Sequence, residues 1–475
     1  MKPTSTPLAL AISLALSACT IGPDYLRPST LLPEVFSKAS PDQAASLPEP
    51  AIVDTTWWQH FNDPTLNSLV DQALQQNADV RLAVARLEQA EAAAREAGAA
   101  FLPEINGQAS GSNSKLSTKT ATWSPNSPKI LHARGAALTT SYELDIWGRV
   151  RRSNEAARAS LLASQYSRDA IRLTVAGLVS NNYLALRAAD AQIAVTTASL
   201  ESRQESLKLV QTRVDAGLVS PLDQYQAEGS LSAMQAQIAD LRRQRALLAH
   251  QLALVSGDPG LEIAPGDLRQ LPMPPTPPEG LPSALVEGRP DVRQAEERLI
   301  AANAGIGIAK AGYFPRFSLT GSLGSESKSL SDLFGAGAST WSLGLGLLMP
   351  VIDFGRTSAR VDQAAAINKQ SLISYQETLQ TAFKEVRDAL VSLRENAVSD
   401  SAQSSRVEST GKALDLAQRR YAAGYSGYLD VLDAQRSNNE AQLAMIATRQ
   451  ARLASAVELF KAIGGGWKDD ARKGS

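Results

Sequence analysis

Apolar residues recur every seven positions through two long, proline-free stretches of this chain. Val179, Leu186, Ile193, Leu200, Leu207 and Val214 mark the first, from about 149 to 216, where Gly177 is the single glycine. Leu372, Leu379, Val386, Leu393, Val407, Leu414 and Tyr421 mark the second, interrupted once by Asp400. A strict seven-residue repeat predicts helices that supercoil left-handedly against neighbours. At 1.5 Å per residue each spans about 100 Å, more than a globular domain needs. Elsewhere the period changes to two. Trp341, Leu343, Leu345 and Leu347 alternate with Ser342, Gly344 and Gly346, and Phe317, Leu319 and Leu323 alternate with Ser318, Thr320 and Ser322. Weaker equivalents lie at about 102–112 and 133–146, where Leu138, Thr140, Tyr142, Leu144 and Ile146 share a face. This is the pattern of strands with one apolar and one small or polar face, separated by polar loops at 113–132 and 325–339.

The plan occurs twice, at an offset of about 207 residues, the separation of Gly217 from Gly424. Arg213-Val-Asp-Ala-Gly217 with Leu222-Asp223 and Ala227 matches Arg420-Tyr-Ala-Ala-Gly424 with Leu429-Asp430 and Ala434. Leu144-Asp145-Ile-Trp-Gly148-Arg149 echoes Ile352-Asp353-Phe-Gly355-Arg356. Gly217 suits the left-handed position that ends a helix, and Ser220-Pro221-Leu222-Asp223 offers an N-cap, a proline at the first helical position and a first-turn acid. Shorter helices then run over about 221–256 and 428–463. Two more, at about 63–98 and 290–311, precede the strands, and end to end with the shorter helices they match the long ones in length. The join between the copies is too rich in proline for helix or central strand and reads as an extended linker. The expected organisation is a signal segment at 1–18, a lipidated segment at 19–62, a first repeat at 63–257, the linker at 258–288, a second repeat at 289–464 and a tail at 465–475.

Composition narrows the function. Lys+Arg (47) and Asp+Glu (48) balance, so no basic surface argues for nucleic acid as a partner. Lys2, the apolar run Leu8–Leu16 and the small residues before Cys19 form a secretory signal. Leu16-Ser17-Ala18-Cys19 resembles the lipobox of bacterial lipoproteins, which implies a diacylglyceryl group on Cys19 and anchorage of the mature N-terminus at a bilayer. Thr20, rather than an aspartate, follows the cysteine, as in lipoproteins sent to the outer membrane. Cys19 is the one cysteine, so no internal disulfide exists. His60, His132 and His250 have no metal-ligand spacing, and no Walker A loop appears. No metal, no cofactor beyond the covalent lipid and no catalytic residue are expected. Gly305-Ile-Gly307 with Gly312 departs from a dinucleotide fingerprint and reads as close helix packing.

Four strands leave two open edges, which hydrocarbon does not tolerate. Single-chain barrels start at about eight strands, so closure requires several chains if these strands enter a membrane; the alternative is a small soluble sheet with one wet face. Several segments resemble the outer-membrane factors of tripartite efflux pumps, the TolC-like family, and within it the OprM and NodT-type lipoproteins. They are Cys19-Thr-Ile-Gly22-Pro23-Asp24-Tyr25-Leu-Arg-Pro28, Trp57-Trp58-Gln-His-Phe61-Asn-Asp63-Pro64-Thr-Leu66, Gly288-Arg289-Pro290-Asp291, Tyr428-Leu429-Asp430-Val431-Leu432-Asp433-Ala434-Gln435-Arg436 and Gly464-Gly465-Gly466-Trp467.

The resemblance implies a mainly α fold with a β-barrel part: a homotrimer whose twelve strands, four per chain, close one outer-membrane barrel above a periplasmic α-helical barrel. It implies a passive exit duct for drugs or small toxic solutes, partnered by a periplasmic adaptor and an inner-membrane pump, often of the resistance-nodulation-division class. The adaptor is expected at the helix-turn-helix tips, with Gly217, Leu218, Val219, Ser220, Gly424, Tyr425 and Ser426 as candidate contacts. Family members close near the end of the second long helix, where Asp415 is the candidate gate and a ring of three would favour cations. A type I protein-secretion conduit is the alternative, and the acylated N-terminus favours efflux. A structural lipoprotein that only spaces the envelope would leave the alternating strands unexplained.

Overall fold

The computed structural model describes residues 20–29, 33, 36, 55–121, 123–126, 128–275 and 283–466. The signal segment and Cys19 lie outside them. The chain forms two compact units, one built from residues 20–29, 88–163 and 295–375, the other from the remainder.

The first unit carries the strands β1 (Glu104–Lys115), β2 (Ile130–Leu144), β3 (Arg316–Ser327) and β4 (Ser339–Leu348). They form one antiparallel sheet in the order β1-β2-β3-β4. The pairing of β2 with β3 joins the repeats, setting Tyr142 opposite Leu319 and Leu144 opposite Phe317. β1 starts at Glu104 because Pro103 has no amide hydrogen to give to the ladder. After β2, Asp145 accepts hydrogen bonds from the Val150 amide (2.8 Å) and the Arg151 amide (2.9 Å) and so caps the long helix that follows. Asp353 does the same for the second long helix through the Thr357 amide (2.9 Å). The echoed Asp-and-Gly-Arg motifs are therefore paired strand-to-helix corners, with Gly148 (φ +78°) and Gly355 (φ +85°) supplying the left-handed turn.

Residues 20–29 form a strap on this unit. The Ile21 amide donates to the Trp147 carbonyl (3.2 Å), Asn303 donates to the Pro23 carbonyl (2.9 Å), and Arg152 pairs with Asp24 (2.6 Å). Arg27 grips Glu296 with both Nε (2.8 Å) and Nη2 (2.6 Å), a bidentate, charge-assisted contact. Burial, and after it the Glu296 carboxylate, push the Tyr25 hydroxyl above the ordinary tyrosine range. Gly307 explains the close approach: a Cβ there would lie 2.8 Å from the Ile21 carbonyl oxygen and 2.9 Å from Arg152 Cγ. The expectation of close helix packing through Gly305, Gly307 and Gly312 is thereby corrected: a Cβ on Gly305 would meet nothing within 4 Å, and the close partner of Gly307 is the extended strap together with the Arg152 side chain.

The second unit is helical. Its helices are α1 (Pro64–Gln76), the start of α2 (Ala78–Ala99), most of α3 (Arg149–Asp215), α4 (Pro221–Ser256), the start of α5 (Pro290–Ala311), most of α6 (Arg356–Ala422) and α7 (Tyr428–Ala462). The helix expected over 63–98 is divided at Asn77. Its side chain accepts from the Asp79 amide (2.9 Å) and donates to the Val255 carbonyl (2.8 Å), so α2 starts where α4 ends. Arg289 likewise donates to the Ala462 carbonyl (2.9 Å), so α5 starts where α7 ends. End-to-end stacking of short helices thus follows the sequence expectation, through one capping side chain at each joint.

The core gathers Trp57, Phe61, Leu66 and Val70 with Val179, Tyr183, Leu186, Leu252, Val457 and Phe460. Trp57 stacks on Phe460 at 5.6 Å. Asp63 caps α1 by accepting from the Thr65 amide (2.8 Å) and also accepts from the Tyr183 hydroxyl, tying the Trp-Trp segment to α3. The linker is not loose where it is described. Ile263, Leu268 and Leu271 are buried, and Arg187, Arg245 and Arg449 donate to the carbonyls of Ala264, Ile263 and Leu271. The heptad interruption at Asp400 also has a partner: this buried carboxylate pairs with Arg452 (2.7 Å) and Arg449 (3.5 Å).

Gly307→Leu is expected to dislodge the strap while leaving the helical unit folded. Hydrogen exchange checks this, with fast exchange at the Ile21 amide and unchanged protection in α3 around Val179.

Candidate functional site

The sheet has two chemically distinct faces. Cross-strand rows Leu138–Leu323–Trp341, Tyr142–Leu319–Leu345 and Leu144–Phe317–Leu347 place the apolar side chains together. This face is uncovered: Trp341 is 79% exposed and Leu345 69%. The opposite face carries Asn106, Gln108, Thr139, Ser141, Thr320, Ser322 and Ser342, with Ser322 and Ser342 hydrogen-bonded at 2.8 Å. Water on that face satisfies these groups, whereas hydrocarbon suits the other. β1 and β4 are edges whose outer amides and carbonyls have no partner strand among the described residues. Among the described residues no helix is long and apolar enough to cross a membrane.

Cys19, the candidate lipidation site, lies outside the described residues. Its neighbour Thr20 packs on Gly148, where a Cβ would meet Thr20 Cγ2 at 3.0 Å. The corner glycine of the first repeat thus also makes room for the start of the strap.

Each tip is a compact reversal. At the first, the Leu218 amide donates to the Arg213 carbonyl (2.8 Å) and the Gly217 amide to the Val214 carbonyl (2.9 Å), with Gly217 at φ +70°. At the second, the Tyr425 amide donates to the Arg420 carbonyl (2.8 Å) and the Gly424 amide to the Tyr421 carbonyl (3.0 Å), with Gly424 at φ +79°. This helix-ending pattern uses glycine because its third-from-last carbonyl must be reached from a left-handed residue. Ser220 caps α4 as expected, accepting from the Leu222 amide (3.2 Å), whereas Gly427 caps α7 without a side-chain bond. Leu218 (73% exposed) and Tyr425 (79% exposed) project into solvent. Val219 and Ser426 are half-buried.

The structure brings the tips together through Arg213, a residue of the repeated motif to which the sequence pattern assigns no separate role. Its guanidinium donates to the Tyr421 (3.1 Å) and Ala422 (3.0 Å) carbonyls at the C-terminal end of α6 and lies 4.5 Å from the centre of the Tyr421 ring. A cation there also meets the negative end of the helix dipole. Val210, Ala227, Tyr421, Tyr428 and Val431 form a small core beneath it. Arg420, its repeat counterpart, is exposed, so two residues that match in sequence have different roles.

Asp415 lies on an exposed face of α6, off the seam, and pairs with Arg419 one turn later at 3.0 Å. Arg419 therefore sits with it on any surface that it lines.

Comparison with known proteins agrees with this architecture. The family model for outer membrane efflux proteins matches residues 69–258 and 281–465. The chain is 36% identical over 473 residues to the outer membrane protein OprJ of Pseudomonas aeruginosa, covering 98% of this chain and 97% of that one. It is 34% identical to the solvent efflux pump outer membrane protein SrpC of Pseudomonas putida, covering 96% and 97%. Among solved structures, the open state of the MtrE outer membrane channel of Neisseria gonorrhoeae superposes with a TM-score of 0.84 at 30% identity, covering 95% of this chain and 99% of that one.

Arg213→Ala is expected to loosen the joined tips locally by about 1–2 kcal/mol, the scale of the hydrogen bonds and ring contact removed. Hydrogen exchange at residues 421–428 should quicken while the Trp57–Phe460 core keeps its protection.

Proposed function

The chain belongs to the outer membrane efflux proteins, and from that premise we propose that it is the passive exit duct of a tripartite pump for small toxic solutes. The observation that carries this reading is the two-faced sheet, whose uncovered apolar rows suit lipid and whose polar rows suit water. Three copies would join β1 of one chain to β4 of the next and close twelve strands into one barrel. Cys19 would carry the lipid, and the strap would hold the anchor against the base of the sheet through the Arg27–Glu296 and Arg152–Asp24 pairs. The similarity to SrpC, a solvent efflux pump outer membrane protein by name, supports small hydrophobic molecules as cargo; in this reading the partner is an inner-membrane pump of the resistance-nodulation-division class. No reaction chemistry is assigned to the duct.

At the tips, exposed Leu218 and Tyr425 offer apolar contacts to a periplasmic adaptor, with Gly217, Val219, Ser220, Gly424 and Ser426 shaping the surface around them. Asp415 is proposed as the gate residue, with three copies of the Asp415–Arg419 pair around the aperture. Partial neutralisation by Arg419 weakens the cation preference that an isolated ring of carboxylates would impose.

Deleting the gene is expected to raise accumulation of an efflux dye, and the wild-type gene to restore export. The double substitution Leu218→Asp with Tyr425→Asp should fail to restore it although native mass spectrometry still counts three acylated chains. Full export by that variant would remove the tip assignment, and an acylated monomer would remove the shared barrel.

Asp415→Ala is expected to lower cation over anion selectivity in single-channel recordings, by less than twofold because Arg419 already offsets part of its charge. Selectivity that does not change sinks the gate assignment.

A further inference from the structure

Arg203, on α3 four turns before the first tip, is only 5% exposed. Its Nη1 donates to the Ser230 carbonyl at 3.2 Å and also to the Ser230 hydroxyl, both neutral acceptors. Its Nε is buried and has no hydrogen-bond partner. Among the described residues no carboxylate pairs with it, whereas every other buried arginine of this chain treated above meets an acid: Arg152 with Asp24, Arg187 with Asp190 and Arg289 with Asp291. Burial lowers the basicity of Arg203, and the one charged or titrating neighbour that acts on it is the Tyr428 hydroxyl. A guanidinium stays protonated throughout the physiological range. A buried cation without a counter-charge is strongly disfavoured, so something outside the protein chain is needed to neutralise it.

The geometry provides room for such a group. Arg203 lines a cleft of about 150 Å³ between α3, α6 and α7, together with Ser199, Ser202, Gln435, Asn438 and Gln442. The polar groups in the wall are neutral: Ser199 gives its hydroxyl proton to Asn439 Oδ1 (3.0 Å) and Gln435 gives an amide hydrogen to the Ser206 hydroxyl (3.1 Å), which leaves Ser202, Asn438 and Gln442 to offer donors to the cleft. Asn438 uses its oxygen to accept from Thr410 (3.3 Å), which leaves its amide nitrogen for the cleft, and Ser202 and Gln442 make no side-chain hydrogen bond among the described residues. No acidic side chain is among the described residues that line the cleft. A cationic fork beside the Ser202 hydroxyl and the Asn438 and Gln442 amides, with no carboxylate among the described lining residues, selects against cations and for a small anion. The volume exceeds that of one ion, so hydrating waters fit beside it, one of them near the unpartnered buried oxygen of Gln435.

We propose that this cleft is a binding site for a small monovalent anion of the chloride class, held as the counter-ion of Arg203. The site has no counterpart in the second repeat, where the position equivalent to Arg203, about 207 residues on, is Thr410. It therefore neutralises one charge per chain in the bundle that carries the tips, and makes the stability of that bundle depend on the anion present.

Crystals of the full-length trimeric protein soaked in sodium bromide test this by anomalous scattering at the bromine edge. A bromide peak beside Arg203 supports the site; water alone, or a carboxylate from a second copy beside Arg203, overturns it. The second readout is the apparent melting temperature in detergent in sodium chloride against sodium gluconate at equal ionic strength. Wild type should gain on the order of 1–2 °C in chloride, and Arg203→Met, which removes the charge that needs a partner, should lose that gain. Equal melting temperatures of the wild type in the two salts overturn the proposal. Asn438→Ala keeps the charge and removes a donor, so its bromide peak should persist at lower occupancy even if Arg203→Met does not fold; an undiminished peak removes Asn438 from the site, and no peak in the wild type removes the site.

Discussion

A strand at the edge of a sheet exposes a row of amide and carbonyl groups, and in hydrocarbon nothing replaces the water that would satisfy them. β1 and β4 are two such edges in every copy of this chain, and the apolar rows through Trp341 and Leu345 direct the same sheet toward lipid. The two demands are compatible only if edge meets edge between chains until the sheet closes. Assembly is thus a requirement of backbone hydrogen bonding rather than an added refinement. Within the chain the same logic joins the repeats, because β2 and β3 belong to different copies of the plan and each satisfies the other's inner edge.

Once the sheet is committed, the positions of its corners and of the strap follow from small residues and carboxylates. Asp145 and Asp353 cap the long helices from the strand side, and the glycines beside them let the chain turn without strain. Gly148 has a second use, since a Cβ there would crowd Thr20 at 3.0 Å, and Gly307 admits the Ile21 carbonyl at a distance, 2.8 Å, that a side chain does not permit. An N-terminal lipid would consequently be tethered to a short, ion-paired strap. Acyl anchorage of one chain alone is marginal at about 0.8 kcal/mol per buried methylene; here it would add to the apolar surface of the strands.

The helical unit solves a different problem. Long two-faced helices cannot bury both sides within one chain, and much of α6 remains exposed. Order comes from a compact aromatic core around Trp57 and Phe460 and from buried or half-buried arginines that bind carbonyls, as buried Arg187 and half-buried Arg245 do along the linker and half-buried Arg213 does at the tips. Such contacts are satisfied by backbone oxygens of loops and helix ends, which a search for opposite charges in sequence does not find.

The sequence by itself determined the period of every major element, the doubling of the plan, both glycine tips and the family. Each rests on local chemistry: a seven-residue apolar repeat, alternation at two, proline at the first helical turn, glycine at a left-handed position. Only the tertiary structure decided that Asn77 divides the first helix, because its amide is held by the distant Val255 carbonyl. The same holds for the packed linker, for the strap on Gly307, for Asp400 as a paired seam charge and for the unequal fates of Arg213 and Arg420. These depend on groups far apart in the chain, and a residue's own neighbours carry no information about which distant carbonyl, carboxylate or cavity it will meet.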